Sequence, residues 1–142
     1  LGSIEYERGN YEQAQQYFST YISKYPQGEL LTDAETSIGY IFEQQQQYQQ
    51  ALETFIRLEN SASSAQKVEI LLAIARNYEA LEEFDQAVAT YQRIVDSSTS
   101  FSLKNKAIER LDILQTGQED PAVEEVQETT SDQQNTETKT TE

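Results

Sequence analysis

The stretch GNYEQAQQYFSTYISKYP, residues 9–26, decides how this chain is read, because its pattern returns twice. It comes back as QQYQQALETFIRL at 46–58 and as EEFDQAVATYQRI at 82–94. Aligned on Ala14, Ala51 and Ala87, the copies place Tyr11, Tyr48 and Phe84 three residues before the alanine. Phe18, Phe55 and Tyr91 stand four after it, and Tyr21, Leu58 and Ile94 seven after. Offsets of −3, 0, +4 and +7 lie on one face of an α-helix. One such helix is commonplace. Three in phase, 37 and 36 residues apart, form a repeat array.

A second helix precedes each of these. Twelve residues before Ala51 and Ala87 come Gly39 and Ala75, each following an isoleucine (Ile38, Ile74), with Phe42 and Tyr78 three residues on. Small residues let two antiparallel helices approach, and the large ones fill the space around the crossing. The polar pieces GN at 9–10, QQQ at 45–47 and EE at 82–83 join the helices of each pair, and Pro26 with Gly28 ends the first unit. SASSAQ, 61–66, is expected to take up extra length as a longer loop.

These residues resemble the tetratricopeptide repeat, whose first helix carries Leu, Gly and Tyr, whose second carries Ala, Phe and Ala, and whose end carries Pro. The matches are Ile38, Gly39, Phe42, Ala51, Phe55 and Leu58 in copy two, and Ile74, Ala75, Tyr78, Ala87, Tyr91 and Ile94 in copy three. Copy one supplies Leu1, Gly2, Ala14, Phe18, Tyr21 and Pro26. The period exceeds the family's usual spacing by two or three residues. The resemblance implies an all-α fold: an α-solenoid of antiparallel hairpins coiled into a right-handed superhelix. Units are placed at about 1–28, 31–63 and 67–98. The first helix of copy one would begin about six residues before Leu1 in this register, and a chain that starts with Leu and has no Met reads as a fragment or processed product.

FSLKNKAIERLDIL, 101–114, carries the stripe Phe101, Leu103, Ala107, Leu111 and Leu114, with Ser100 or Ser102 as its N-cap. It reads as a capping helix over the array's apolar edge, the alternative being the first half of a fourth unit. From 115 to 142 the chain holds eight acidic residues and one Lys, with Ala122, Val123 and Val126 as its apolar groups. Such a composition predicts a disordered acidic tail, either a solubilising linker or an acidic docking segment.

A formal net charge of −15 works against nucleic acid and against an anionic membrane surface. The absence of Cys and His removes disulfides, the commonest zinc ligands and the usual nucleophile–base pairs, so no cofactor, no metal and no catalytic residue are assigned. No apolar run is long enough to insert in a bilayer. The Gln run at 43–50 ends one helix and begins the next.

The resemblance implies a non-catalytic scaffold that binds a protein or peptide through the exposed side of its first helices, on the concave face. By column, those positions are Ser3, Tyr6, Asp33, Thr36, Tyr40, Glu43, Glu69, Leu72, Arg76 and Glu79, and the partner-binding set is Tyr6, Thr36, Tyr40, Glu43, Leu72, Arg76 and Glu79. Tyr6, Tyr40 and Arg76 are residue types that dominate interface energetics. The Lys and Asn grip that some cochaperones of the family use on a terminal carboxylate has no basic counterpart at Thr36, Tyr40, Glu69 or Ala73. Arg76 is the one cation placed on this face, which argues against a strongly acidic ligand. The longer period and the exit YISKYPQG are similar to bacterial cell-envelope repeats of the BamD and YbgF types, implying an extracytoplasmic, outer-membrane-associated setting. Competing readings are a spacer within a longer solenoid and a non-catalytic part of an enzyme complex. Oligomeric state and partner identity are not encoded in the pattern.

Overall fold

The computed structural model describes residues 1–117, which form seven α-helices and no strand. In chain order they are α1 (Gly2–Glu7), α2 (Tyr11–Lys24), α3 (Leu31–Gln44), α4 (Tyr48–Glu59), α5 (Ser64–Ala80), α6 (Phe84–Ser97) and α7 (Phe101–Thr116). Each helix packs on the next, and α5 also touches α7. The chain is thus an α-solenoid of helical hairpins: α1–α2, α3–α4 and α5–α6, closed by α7.

One turn geometry joins the helices of every hairpin. Gly9, Gln46 and Glu82 each adopt a left-handed backbone, at φ 78°, 59° and 60°. Their amides bond to the carbonyls of Tyr6, Glu43 and Glu79 at 2.9 Å, and the amides of Asn10, Gln47 and Glu83 to Glu5, Phe42 and Tyr78 at 2.8 Å. This pair of bonds is the Schellman stop, which satisfies carbonyls left over at a helix end. Only copy one gives the left-handed position to glycine.

The aligned columns become the core. Ala14, Ala51 and Ala87 are fully buried, as are Phe55, Leu58 and Ile94, with Tyr91 nearly so. The small residue of each first helix answers the aromatic sixteen residues later. A methyl added at Gly39 would lie 2.7 Å from the Phe55 ring, and one at Gly2 would lie 2.9 Å from the Phe18 ring. In copy three the corresponding pair is Ala75 and Tyr91, both buried. The helices touch there because one side brings almost no side chain.

Departures from the sequence expectation have local causes. SASSAQ is not a loop throughout: α5 starts at Ser64, three residues before the expected 67. Ser63 accepts from the Gln66 amide while the Gln66 side chain accepts from the Ser63 amide, a reciprocal capping box that recruits the segment into the helix. Phe84 and Phe101, placed in apolar stripes, are 50% and 80% exposed. Each is the first residue of its helix. Cβ bonds tilt toward the helix N-terminus, so a first-turn side chain overshoots the neighbouring helix. Ser100, not Ser102, caps α7, which runs two residues past 114 to a left-handed Gly117. The acidic tail beyond it, 118–142, lies outside the described residues.

Copy one differs in length. Its first helix has 6 residues where α3 has 14 and α5 has 17. Phe18 and Tyr21 are therefore only half-buried, and with Leu1, Tyr17, Tyr25 and Leu30 they line an open groove of about 540 Å³.

Candidate functional site

The side chains predicted to bind lie on α1, α3 and α5, and their neighbours decide what each can do. Tyr6 sits edge-on to Tyr11, with centroids 5.6 Å apart. Tyr40 leans on the buried Phe55 ring at 5.2 Å, so its ring belongs half to the core. Burial raises the pKa of both hydroxyls, and the charges of Glu43 and Arg76 act on both, with opposite signs. The structure therefore brings Tyr6, Tyr40, Glu43 and Arg76 into one neighbourhood, although they come from three different helices.

Charge on this face is organised as a ladder between successive first helices. Near the start of α3, Asp33 accepts from the Gln66 side chain at 2.8 Å. At its far end, Glu43 accepts from Arg76 at 3.0 and 3.1 Å and from Asn77 at 2.7 Å. One repeat further on, Glu79 occupies the column of Glu43 and receives Arg110 of α7 together with the Tyr91 hydroxyl. Burial, with Glu79 as the hydrogen-bonded neighbour, drives the Tyr91 pKa well upward. A parallel set ties the second helices, where Arg93 of α6 reaches Glu59 of α4. Asn77 is buried, and its Oδ1 has no partner among the described residues.

Beside the ladder runs a groove of about 560 Å³. Leu72 and Tyr91 form apolar parts of its lining; Arg76 and Glu79 stand on α5, and Lys106, Glu109 and Arg110 on α7. Two sequence readings are revised here. Leu72, assigned to the exposed side, is 9% exposed and is part of the core as well as of the groove. Arg76 is not the one cation on this face, because α7 adds Lys106 and Arg110. The missed signal was the Glu43–Arg76 pair itself, since Glu79 one period later required a cation on the next helix. Thr36 is half-buried in a small recess of about 120 Å³ with Asp33, Gln66, Glu69 and Ile70, away from the groove residues. Ser3 is exposed and borders the copy-one groove instead.

A family model described as the tetratricopeptide repeat matches residues 1–28 and 69–98. Over these two segments the chain is similar to the tetratricopeptide repeat. The matched segments are the first hairpin and most of the third. Between them α3–α4 repeats the same turn, the same buried alanine and the same glycine-against-aromatic crossing. No curated protein matches the chain. Among the described residues there is no cluster able to hold a metal ion, and no helix is long and apolar enough to cross a membrane.

Proposed function

We propose that this chain is a non-catalytic scaffold that binds a protein or peptide along the face formed by α1, α3, α5 and α7. Tetratricopeptide repeats generally mediate protein–protein interaction. The observation that carries the reading to this face is the groove of about 560 Å³ lined by Leu72, Arg76 and Tyr91, with Tyr6 and Tyr40 within electrostatic reach of Arg76. Rigid aromatic rings, a guanidinium and an apolar floor are what a peptide backbone with alternating side chains uses best. The test is selection of peptide ligands from a displayed library against the full chain, followed by Tyr6→Ser with Arg76→Glu. Binding should fall at least about tenfold, equivalent to about 1.4 kcal/mol, with an unchanged circular dichroism spectrum. Ligands that bind the double variant equally well would move the site elsewhere.

A second reading, a spacer whose surfaces serve neighbouring repeats, is favoured by one observation: Glu43 and Glu79 are already occupied by cations from α5 and α7. Failure to select any ligand for this face would support it. The extended period and the YISKYPQG exit support a bacterial cell-envelope assembly as the setting, which fractionation of cells carrying the parent protein tests.

A further inference from the structure

In α3, residues 31–38 precede the crossing at Gly39, and in α5, residues 64–74 precede the crossing at Ala75. Where these opening turns are present, the second-helix columns are buried: Phe55 with Leu58, and Tyr91 with Ile94. α1 starts at its crossing residue, Gly2, and the matching Phe18 and Tyr21 stay half-buried. The open groove of about 540 Å³ therefore continues the α1–α2 seam, over the place that a first helix holds in the other two copies. Its apolar lining is accessible: Tyr17, Tyr25 and Leu30 are exposed, Leu30 to 57%. Leu30 carries a second sign. It stands nine residues before Gly39, as Gln66 stands before Ala75, and the Gln66 side chain donates to Asp33 of the preceding first helix at 2.8 Å. In copy one that polar link has become an exposed leucine, which an apolar side chain would cover. The surrounding charge is acidic. Residues 1–37 hold six carboxylates against Arg8 and Lys24; Arg8 is paired with Glu5, and Lys24 stands over the Tyr25 ring at 5.5 Å.

We infer that this groove receives an amphipathic α-helix of a partner protein, lying along α2 in line with α1, apolar toward Phe18, Tyr21 and Leu30 and basic on its outer side. Helix-in-groove recognition works through anchors at helical spacing on one face. α5 shows a set that fills the equivalent seat in copy three: Ile70, Leu71 and Ile74, all buried. Two turns of helix, about 12 Å at 1.5 Å per residue, match the length that α3 devotes to the same place. The carboxylates around the groove favour a cationic helix by complementarity and by steering its approach. The site goes beyond the function proposed above, because Tyr6 and Arg76 take no part in its lining.

Short helices are marginal in water, so the probe is a synthetic peptide locked by a side-chain bridge across one turn. It carries Ile, Leu and Ile at the spacing of Ile70, Leu71 and Ile74, with Lys at its outward positions. Titrated into the full chain, it should shift the amide resonances of Phe18, Tyr21, Leu30 and Ala34 and leave those of Leu72 and Arg76 in place. Tyr25→Ser/Leu30→Ser, at two exposed positions, should weaken binding at least about tenfold with an unchanged circular dichroism spectrum. The same peptide with Glu in place of Lys should bind more weakly. Equal binding to the double variant, equal binding of the Glu peptide, or shifts confined to the α5–α7 groove would overturn the inference. So would Phe18 and Tyr21 resonances that move on dilution without peptide, since a second copy would then be the occupant. In a longer form of the chain, residues ahead of Leu1 that exclude the peptide would likewise overturn it. Loss of ligand binding in Tyr6→Ser with Arg76→Glu leaves this titration unchanged, so the two proposals fail separately.

Discussion

Replacing Gly39 with alanine probes the contact on which the middle hairpin is built. The new methyl carbon would sit 2.7 Å from Phe55 Cζ and 2.8 Å from Cε1. Carbon atoms rest at about 3.5–4.0 Å, so the intrusion is roughly 0.8 Å. Phe55 is fully buried and has Tyr40 against it, which leaves its ring no free direction. Overpacking of this kind costs about 1–3 kcal/mol. Alanine returns about 1 kcal/mol through its better helix propensity. With three ring atoms inside 3.3 Å, the upper part of the range applies. The net loss should be about 1–2 kcal/mol, or roughly 4–8 °C in Tm at about 4 °C per kcal/mol for a folded unit of this size. Gly2→Ala makes the same substitution against Phe18 at 2.9 Å, but that ring is half-buried beside an open groove and can swing aside. Its effect should be near zero. Urea denaturation followed by circular dichroism measures both, and Phe55→Leu in the Gly39→Ala background should recover stability through a coupling of about 1 kcal/mol. A Gly39→Ala chain as stable as the parent would refute the close crossing.

Ala51→Leu, at a fully buried column position, should cost about 1–3 kcal/mol by overpacking, and an unchanged urea midpoint would disprove that registration. Glu82→Gly and Gln46→Gly relieve left-handed strain at exposed turns and should each stabilise by about 1 kcal/mol, whereas a drop in the midpoint would contradict the shared stop geometry. Tyr6, Tyr40 and Tyr91 have raised folded-state pKa values, so their contribution is complete below the unfolded tyrosine pKa of about 10 and drains away as pH climbs above it. Urea midpoints should fall above about pH 10, less steeply in Tyr91→Phe; a flat profile would count against burial of these hydroxyls.

The repeat was legible because burial is periodic and local. A column of alanine facing a column of aromatics leaves a trace in one dimension, and Ala14, Ala51 and Ala87 were found where that trace put them. The hairpin turns were legible as positions, but Gln46 and Glu82 conceal a conformation that glycine would have announced. Phe84 and Phe101 misled because apolar periodicity says which side of a helix faces inward, not whether a neighbour extends far enough to cover it. Ser63 with Gln66 was a readable capping box that the run of small polar residues disguised as a loop. Tyr6, Tyr40, Glu43 and Arg76 could be put on one face by column arithmetic alone. The groove could not, because Lys106 and Arg110 enter through the packing of α7 on α5, which no intrahelical period records.

The central claim, that small residues of the first helices seat the aromatics of the second in successive hairpins, is tested most directly by proton nuclear Overhauser contacts in solution. The account predicts strong contacts from the Gly39 α-protons to the Phe55 ring and from Gly2 to Phe18, with the Gly39 protons displaced upfield by the ring they face. Gly39 α-protons at ordinary shifts, with no contact to Phe55, would contradict it.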